Sequence, residues 1–188
     1  MPVCEMKGLS ILNYPVVLGE LRGPSVRDDM LGRLPDDLRH KLQDGEIVAN
    51  GWYPVTWKCA LHEAGRVVTG DASLARAMGY EMTKRDLRGI YSMLLRYTVS
   101  PRTALTLTAR LLGRYLRPAR LEVAELGPCA VRFSFSEGDG FTYELWEDVV
   151  GGSLATLEIA GARQVVVRIE SGGRTGDAAA IGVARWVE

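Results

Sequence analysis

The chain has 188 residues, 47% of them apolar, and its 23 lysines and arginines balance its 23 aspartates and glutamates. This length and apolar content are enough for one domain with its own core, which we expect over residues 1–188. A formal charge of zero disfavours general nucleic-acid binding, because no overall basic field exists to hold a phosphate backbone. No stretch approaches the roughly 18 apolar residues that a membrane span requires.

The cysteines indicate the compartment. Cys4, Cys59 and Cys129 are an odd number without C-x-x-C spacing. Such a set is typical of free thiols in a reducing environment, so we expect a cytoplasmic protein.

The N-terminal part of the chain predicts short elements. Residues 9–21 contain Pro15, and they favour an edge strand or an extended arm, because proline is excluded from central strands. Two short helices are expected next, over residues 26–34 and 35–42, each following or starting at a proline.

Helical periodicity dominates the middle of the chain. Apolar residues recur every three or four positions between residues 57 and 116, which predicts a bundle of helices. Thr83 and Asp86 have the spacing of a capping box, so we expect one helix to end and another to begin there. Ser100 followed by Pro101 predicts a further helix N-terminus with the serine as N-cap.

The apolar period changes to two after Pro118. Strict alternation around Phe133 predicts a hairpin, a helix follows over residues 146–157, and a glycine-rich turn at 171–177 separates two last strands. The expected fold class is therefore α+β. A helical layer (about 25–117) packs on a four-stranded antiparallel sheet with its covering helix (119–188), in the order β-β-α-β-β.

Candidate catalytic and metal-binding residues are few. His40 lies in a polar stretch near a helix end. His62 lies outside the apolar face of its predicted helix, so we expect His62 at the surface or rim. Cys59 and His62 are three residues apart but have no further ligands at zinc spacing. No nucleophile motif is present, and Glu81, Glu144 and His62 have no visible catalytic partner. We assign no catalytic residue and no metal site, and we expect a protein that is not an enzyme.

Four residues are candidates for an interaction surface. Trp52 and Tyr53 lie in a turn-rich link, where a tryptophan either folds back onto the core or marks a contact surface. Arg110 and Arg114 belong to a series of arginines three or four residues apart. They form a patch for an anion or partner, or they stabilise and solvate a helix C-terminus.

Two resemblances extend this interpretation. The blocks GWYPV at 51–55 and RDLRGIY at 85–91 resemble a paralogous family of single-domain proteins found in myxobacteria, a resemblance that implies no activity. More distantly, the order of helices, hairpin, helix and hairpin resembles the superfamily of 4-vinyl reductase domains, heme nitric oxide/oxygen-binding (H-NOX) domains and TRAPP-type trafficking subunits.

The heme branch of this superfamily has an axial histidine on the helix before the first hairpin and a Tyr-x-Ser-x-Arg motif on that hairpin. Here the helix at residues 101–116 has no histidine, and the hairpin reads RFSFS at 132–136, without the tyrosine and arginine. The resemblance therefore does not extend to a heme of that type. We expect no cofactor.

The 4-vinyl reductase resemblance implies the binding of small apolar or aromatic molecules, often in the sensory part of a regulator. We therefore expect a non-enzymatic ligand-binding or sensory domain. Its pocket would lie between the helical bundle and the sheet. Apolar residues with this helical and strand periodicity are also typical of a packed core without a cavity. The alternative is an interaction module, possibly homodimeric. The expected pocket residues are Tyr91, Leu95, Phe133, Phe135, Trp146 and Val150.

Overall fold

The structure is a computed structural model and describes residues 4–87 and 99–187. Within these ranges it has seven α-helices and two antiparallel sheets, so the predicted α+β class is confirmed. The helices are α1 (Gly8–Arg22), α2 (Pro24–Gly32), α3 (Asp36–Gln43), α4 (Val55–Thr69), α5 (Leu74–Asp86), α6 (Pro101–Leu111) and α7 (Tyr143–Ile159). The strands are β1 (Glu5–Lys7), β2 (Trp52–Pro54), β3 (Leu116–Arg117), β4 (Arg120–Gly127), β5 (Ala130–Ser136), β6 (Arg163–Gly172) and β7 (Ala180–Val187).

The larger sheet has the strand order β4-β5-β7-β6, and all its neighbours are antiparallel. Its two hairpins follow the predicted alternation, with Phe133 opposite Val123 on one side and Gly182 on the other. Gly182 is required there because a methyl group in its place would overlap the Phe133 ring. The helix α7 connects the hairpins, as the β-β-α-β-β order predicts.

A small second sheet, in the order β2-β1-β3, was not predicted. Its central strand is only three residues long, and it pairs with Trp52–Pro54 and with Leu116–Arg117. An ion pair of 2.8 Å between Arg117 and Glu5 adds to the second pairing. Strands this short have no readable periodicity, because two or three residues cannot show alternation.

The prediction of an edge strand or arm over residues 9–21 is wrong, since this stretch lies within the helix α1, with Pro15 inside it. Ile11, Tyr14 and Leu18 are completely buried on one side of that helix. Their burial in the core outweighs the hydrogen bond that proline removes, which a local propensity argument does not include.

The two capping predictions have different outcomes. Thr83 is not a helix N-cap, because α5 continues through it and ends at Asp86, so the capping-box prediction is wrong. The second helix expected there lies outside the described residues. The Ser100 prediction is confirmed: its Oγ accepts a hydrogen bond of 3.2 Å from the Thr103 amide, and Pro101 is the first helical residue.

The core has two clusters. One fills the helical layer and includes Phe135 and Trp146, and the other lies between α7 and the larger sheet and includes Phe133 and Val150. Among the described residues, none of the helices combines the length and the hydropathy of a membrane span.

The helices α5 and α7 approach each other backbone to backbone. A methyl group at Gly79 would overlap the carbonyl oxygen of Asp148, and one at Gly151 would overlap that of Arg76. Glycine allows this separation because it has no Cβ. This contact determines where Asp148, on α7, lies relative to the helical layer.

Candidate functional site

A set of polar side chains is enclosed where α1, α4 and α7 meet. It consists of Tyr14, Lys58, His62 and Asp148, and we call it the buried polar cluster. Tyr14 and Lys58 are fully buried, and His62 is 2% exposed. Lys58 and His62 are four residues apart on α4, so both project from the same face of that helix.

The Asp148 carboxylate lies close to both Lys58 and His62 of α4. Its Oδ1 atom is 3.7 Å from Lys58 Nζ and 3.4 Å from His62 Nε2. Lys58 Nζ also donates a hydrogen bond of 3.2 Å to the sulfur of Met82. The Tyr14 ring meets the His62 ring edge-on at 4.9 Å, and Lys58 Nζ lies 4.8 Å from the Tyr14 ring centre.

Burial and charge act together on the pKa values of the cluster. Burial lowers the pKa of Lys58 and of His62, and the nearby Asp148 carboxylate only partly opposes this. Burial alone would raise the pKa of Asp148, but Lys58 and His62 together hold that pKa below its ordinary value. The pKa of Tyr14 is raised, mainly by burial and then by Asp148.

The cluster is incompletely hydrogen-bonded. Tyr14 Oη, His62 Nε2 and Asp148 Oδ1 are buried and have no hydrogen-bond partner in the described part of the chain. The contacts of Asp148 with Lys58 and His62 are too long or too poorly aligned for good hydrogen bonds. Charges held in this way are costly, and perturbed pKa values of this kind are enriched at functional sites.

The expected position of His62 at the surface or rim is therefore wrong. The buried face of α4 includes Lys58 and His62 together with Cys59 and Leu61. The available signal was a lysine and a histidine with helical i, i+4 spacing among apolar neighbours. Their partner Asp148 follows more than eighty residues later, and no local pattern connects it to them.

The predicted pocket residues that the structure describes are all buried in the core. Phe135 meets Trp146 edge-on at 5.1 Å, and Phe141 contacts both rings, at 5.3 and 4.6 Å. Phe133 and Val150 belong together to the second core cluster. Tyr91 and Leu95 lie outside the described residues, so the pocket stays a prediction.

The four candidate interaction residues lie in two different parts of the structure. Trp52 is half-buried in β2, with Lys7 Nζ 4.0 Å and the Arg117 guanidinium 4.2 Å from its ring, so it folds back between two cations. Tyr53 stacks on Trp57 at 5.3 Å. The other two candidates, Arg110 and Arg114, lie at the end of α6 and in the turn that follows, and both are exposed.

The described residues include no group of three or more histidine, cysteine, aspartate or glutamate side chains arranged to hold a metal ion. The buried polar cluster supplies only one imidazole and one carboxylate, beside an ammonium group that would repel a cation. It is therefore a buried set of titratable groups whose pKa values are shifted by burial and by one another.

Solved structures with a similar fold include H-NOX domains. The unliganded Fe(II) H-NOX protein of K. algicida aligns over 97% of this chain and 97% of its own, with a TM-score of 0.71 and 12% identity. A variant of T. tengcongensis H-NOX covers 97% and 98%, with a TM-score of 0.65 and 14% identity. An oxygen-binding H-NOX domain related to soluble guanylate cyclases covers 97% and 96%, with a TM-score of 0.68 and 12% identity.

No protein-family model and no curated protein matches the sequence, so the resemblance to a myxobacterial family stays a prediction. The structural likeness extends over nearly the whole chain at low identity. The chain therefore has the H-NOX fold.

Proposed function

We propose that this chain is a non-enzymatic sensory domain that binds a small apolar or aromatic molecule between its helices and its larger sheet. The observation that carries the proposal is the H-NOX fold, which covers 97% of the chain in the comparison with an oxygen-binding H-NOX domain. The resemblance to 4-vinyl reductase domains supports the class of ligand.

Heme, the group that this fold implies, does not fit the residues of α6. Its buried side chains are Ala104 and Leu105, neither of which can ligate iron. The two histidines of the chain are His40, exposed on α3, and His62, in the buried polar cluster. We therefore propose that apolar and aromatic side chains bind the ligand directly, without a heme.

The helix α7 connects the proposed ligand site to the buried polar cluster. Trp146 and Val150 on this helix are candidate pocket residues, and Asp148 lies between them in sequence. A ligand that displaces α7 by a fraction of a helical turn would lengthen the contacts of Asp148 with Lys58 and His62. Ligand binding would then change the electrostatics of the helical layer, which is how a sensory domain would pass on its signal.

The test is a thermal-shift screen of the purified protein with indole, naphthalene and benzoate-sized aromatics, combined with native mass spectrometry of the protein as isolated. A ligand present at a hundred times its Kd should stabilise the folded chain by about 2.7 kcal/mol. The Phe135→Leu variant should respond less, and Tyr143→Leu, which changes an exposed aromatic at the start of α7, should respond as the unaltered chain does.

The proposal fails if no aromatic compound raises the melting temperature and no small molecule copurifies. It also fails if Phe135→Leu, folded by circular dichroism, responds as strongly as the unaltered chain.

A further inference from the structure

The larger sheet has one face covered by α7 and one face open to solvent. On the open face lie Arg132 of β5, Arg168 of β6 and Arg185 of β7, all exposed. We call this surface the arginine face. Successive side chains of a strand point to opposite faces of the sheet. The neighbours of these arginines, such as Phe133 and Val167, are buried on the other face.

The strand registers place these arginines close together. Arg132 and Arg168 both stand opposite Val183, one on each side, so their Cα atoms are two strand spacings, about 10 Å, apart. Arg185 lies two residues beyond Val183 on the same strand. The three guanidinium groups therefore surround one small area of the sheet.

These arginines have no acidic partner among the described residues. Most other cations of the molecule do, for example Arg22 with Asp71 at 2.8 Å and Arg76 with Glu147 at 2.7 Å. Two carboxylates lie nearby, Glu122 on β4, diagonal to Arg132, and Glu170, two residues from Arg168 on β6, but neither forms an ion pair with these arginines. A chain with zero net charge thus concentrates three unpaired positive charges on one face.

Apolar side chains alternate with the arginines. A shallow groove of about 600 Å³ crosses β6 and β7, and Val166 and Val187, which line it, are 44% and 49% exposed. Ile181, on the same face of β7, is 41% exposed. A guanidinium group binds carboxylates in a two-pronged geometry, while exposed valine and isoleucine favour apolar contact.

This mixture favours a protein partner over a nucleic acid. A protein surface that binds duplex nucleic acid needs a larger basic area than this one. A surface that binds single strands needs exposed aromatic rings for base stacking, whereas this face has valine and isoleucine. The charges and the apolar side chains together match a peptide in which acidic and apolar residues alternate.

We infer that the arginine face is a docking surface for an acidic, partly apolar segment of a partner protein. Its carboxylates pair with Arg132, Arg168 and Arg185, and its apolar side chains cover Val166 and Ile181. This surface lies on the opposite side of the sheet from α7, so the inference holds whether or not a small molecule binds beneath that helix.

The probe is a synthetic peptide of alternating glutamate and valine, about eight residues long, which extends over about 26 Å. Binding is followed by two-dimensional NMR of the ¹⁵N-labelled full chain. We expect a Kd below about 1 mM, with the largest shifts at the Nε–H groups of the three arginines. The affinity should decrease with added salt, because exposed ion pairs are screened.

The test variant is R132E/R168E/R185E, and the matched control is R33E/R66E/R174E. The control reverses three exposed arginines that lie outside the arginine face, so both variants have the same net charge. Circular dichroism checks that both are folded. The test variant should bind at least about tenfold more weakly than the unaltered chain, and the control should lose less than about threefold.

Several results would overturn the inference: no peptide binding below about 1 mM, equal loss in both variants, or loss in the control alone. An oligonucleotide that binds the same arginines more tightly than the peptide would assign the face to nucleic acid instead. Light scattering that shows a dimer, dissociated by R132E/R168E/R185E, would assign it to a second copy of the chain.

Discussion

The Lys58 ammonium group has three close neighbours, and none of them is a strong hydrogen-bond acceptor at short range. The Met82 sulfur at 3.2 Å is a weak acceptor, the Tyr14 ring offers only its π face, and the Asp148 carboxylate is 3.7 Å away. Attraction to two carboxylates, first Asp148 and then Asp86, therefore provides most of the compensation for burying this charge. Asp148 itself is less dependent on Lys58, because its side chain is 19% exposed and His62 is also beside it.

This asymmetry predicts unequal effects of removing the two partners. Asp148→Ala leaves a fully buried ammonium group with only the more distant Asp86 carboxylate as countercharge and should lower the free energy of unfolding by about 3 kcal/mol or more. Lys58→Met fills the same space with an apolar chain and should cost clearly less. Urea denaturation at neutral pH measures both. Glu158→Gln, on the exposed side of α7, is the control and should change stability by less than about 1 kcal/mol. Equal losses for D148A and K58M would contradict this account.

The pH dependence of stability should show the burial of His62. Burial lowers the pKa of this imidazole below its ordinary value of 6.5, so below that pH the unfolded chain takes up a proton that the folded chain resists. The free energy of unfolding should therefore fall as pH decreases from about 7 to 5, by at most about 1.4 kcal/mol per pH unit. Asp148, whose pKa is held below 3.8, stays ionised over this range.

The measurement is urea denaturation at several pH values, with two histidine variants. His62→Phe should flatten the curve between about pH 7 and 5, because the titrating group is gone. His40→Gln, which changes the exposed histidine of α3, should leave the curve unchanged. A slope that persists in H62F would assign the acid sensitivity to another group.

Helix packing predicts a contrast between two glycine positions. A methyl group at Gly79 overlaps the backbone of α7, so Gly79→Ala must separate α5 from α7 and should cost about 2 kcal/mol or more. Gly32 is also helical, in α2, but a methyl group there would meet none of the described atoms within 4 Å. Gly32→Ala should be neutral or stabilise by up to about 1 kcal/mol, because alanine is the better helix former. Chemical denaturation distinguishes them, and equal effects would refute the close-packing argument.

The elements that the sequence predicts correctly have local signals. Ser100 and Pro101 form an N-terminal capping pattern within four residues of chain, and the alternation around Phe133 is visible in seven. The helix α1 and the small sheet depend on distant contacts instead. Tyr14 and Leu18 are buried by other helices, and Met6 of β1 pairs with Tyr53 and Leu116. Local propensity around Pro15 therefore pointed to the wrong structure.

On the scale of the whole molecule, the candidate sites combine residues from separate parts of the chain. The buried polar cluster takes Tyr14 from α1, Lys58 from α4 and Asp148 from α7, and the arginine face takes one residue from each of three strands. Composition and periodicity predicted the layers that meet. They could not predict which polar side chains are enclosed at the meeting points, since that depends on the relative rotation of packed helices.

The whole-molecule comparison with H-NOX domains leads to a last prediction, on heme. Iron in heme is held by side chains such as histidine or a cysteine thiolate, but burial raises the pKa of Cys4 and Cys59, which keeps them as thiols. His62 faces Asp148 within the cluster. Hemin added to the purified chain should therefore give no one-to-one complex with the absorbance spectrum of histidine-ligated heme. His40→Ala controls for binding by the exposed histidine. A stoichiometric complex that His62→Ala abolishes, while His40→Ala retains it, would show that His62 leaves the cluster to bind iron.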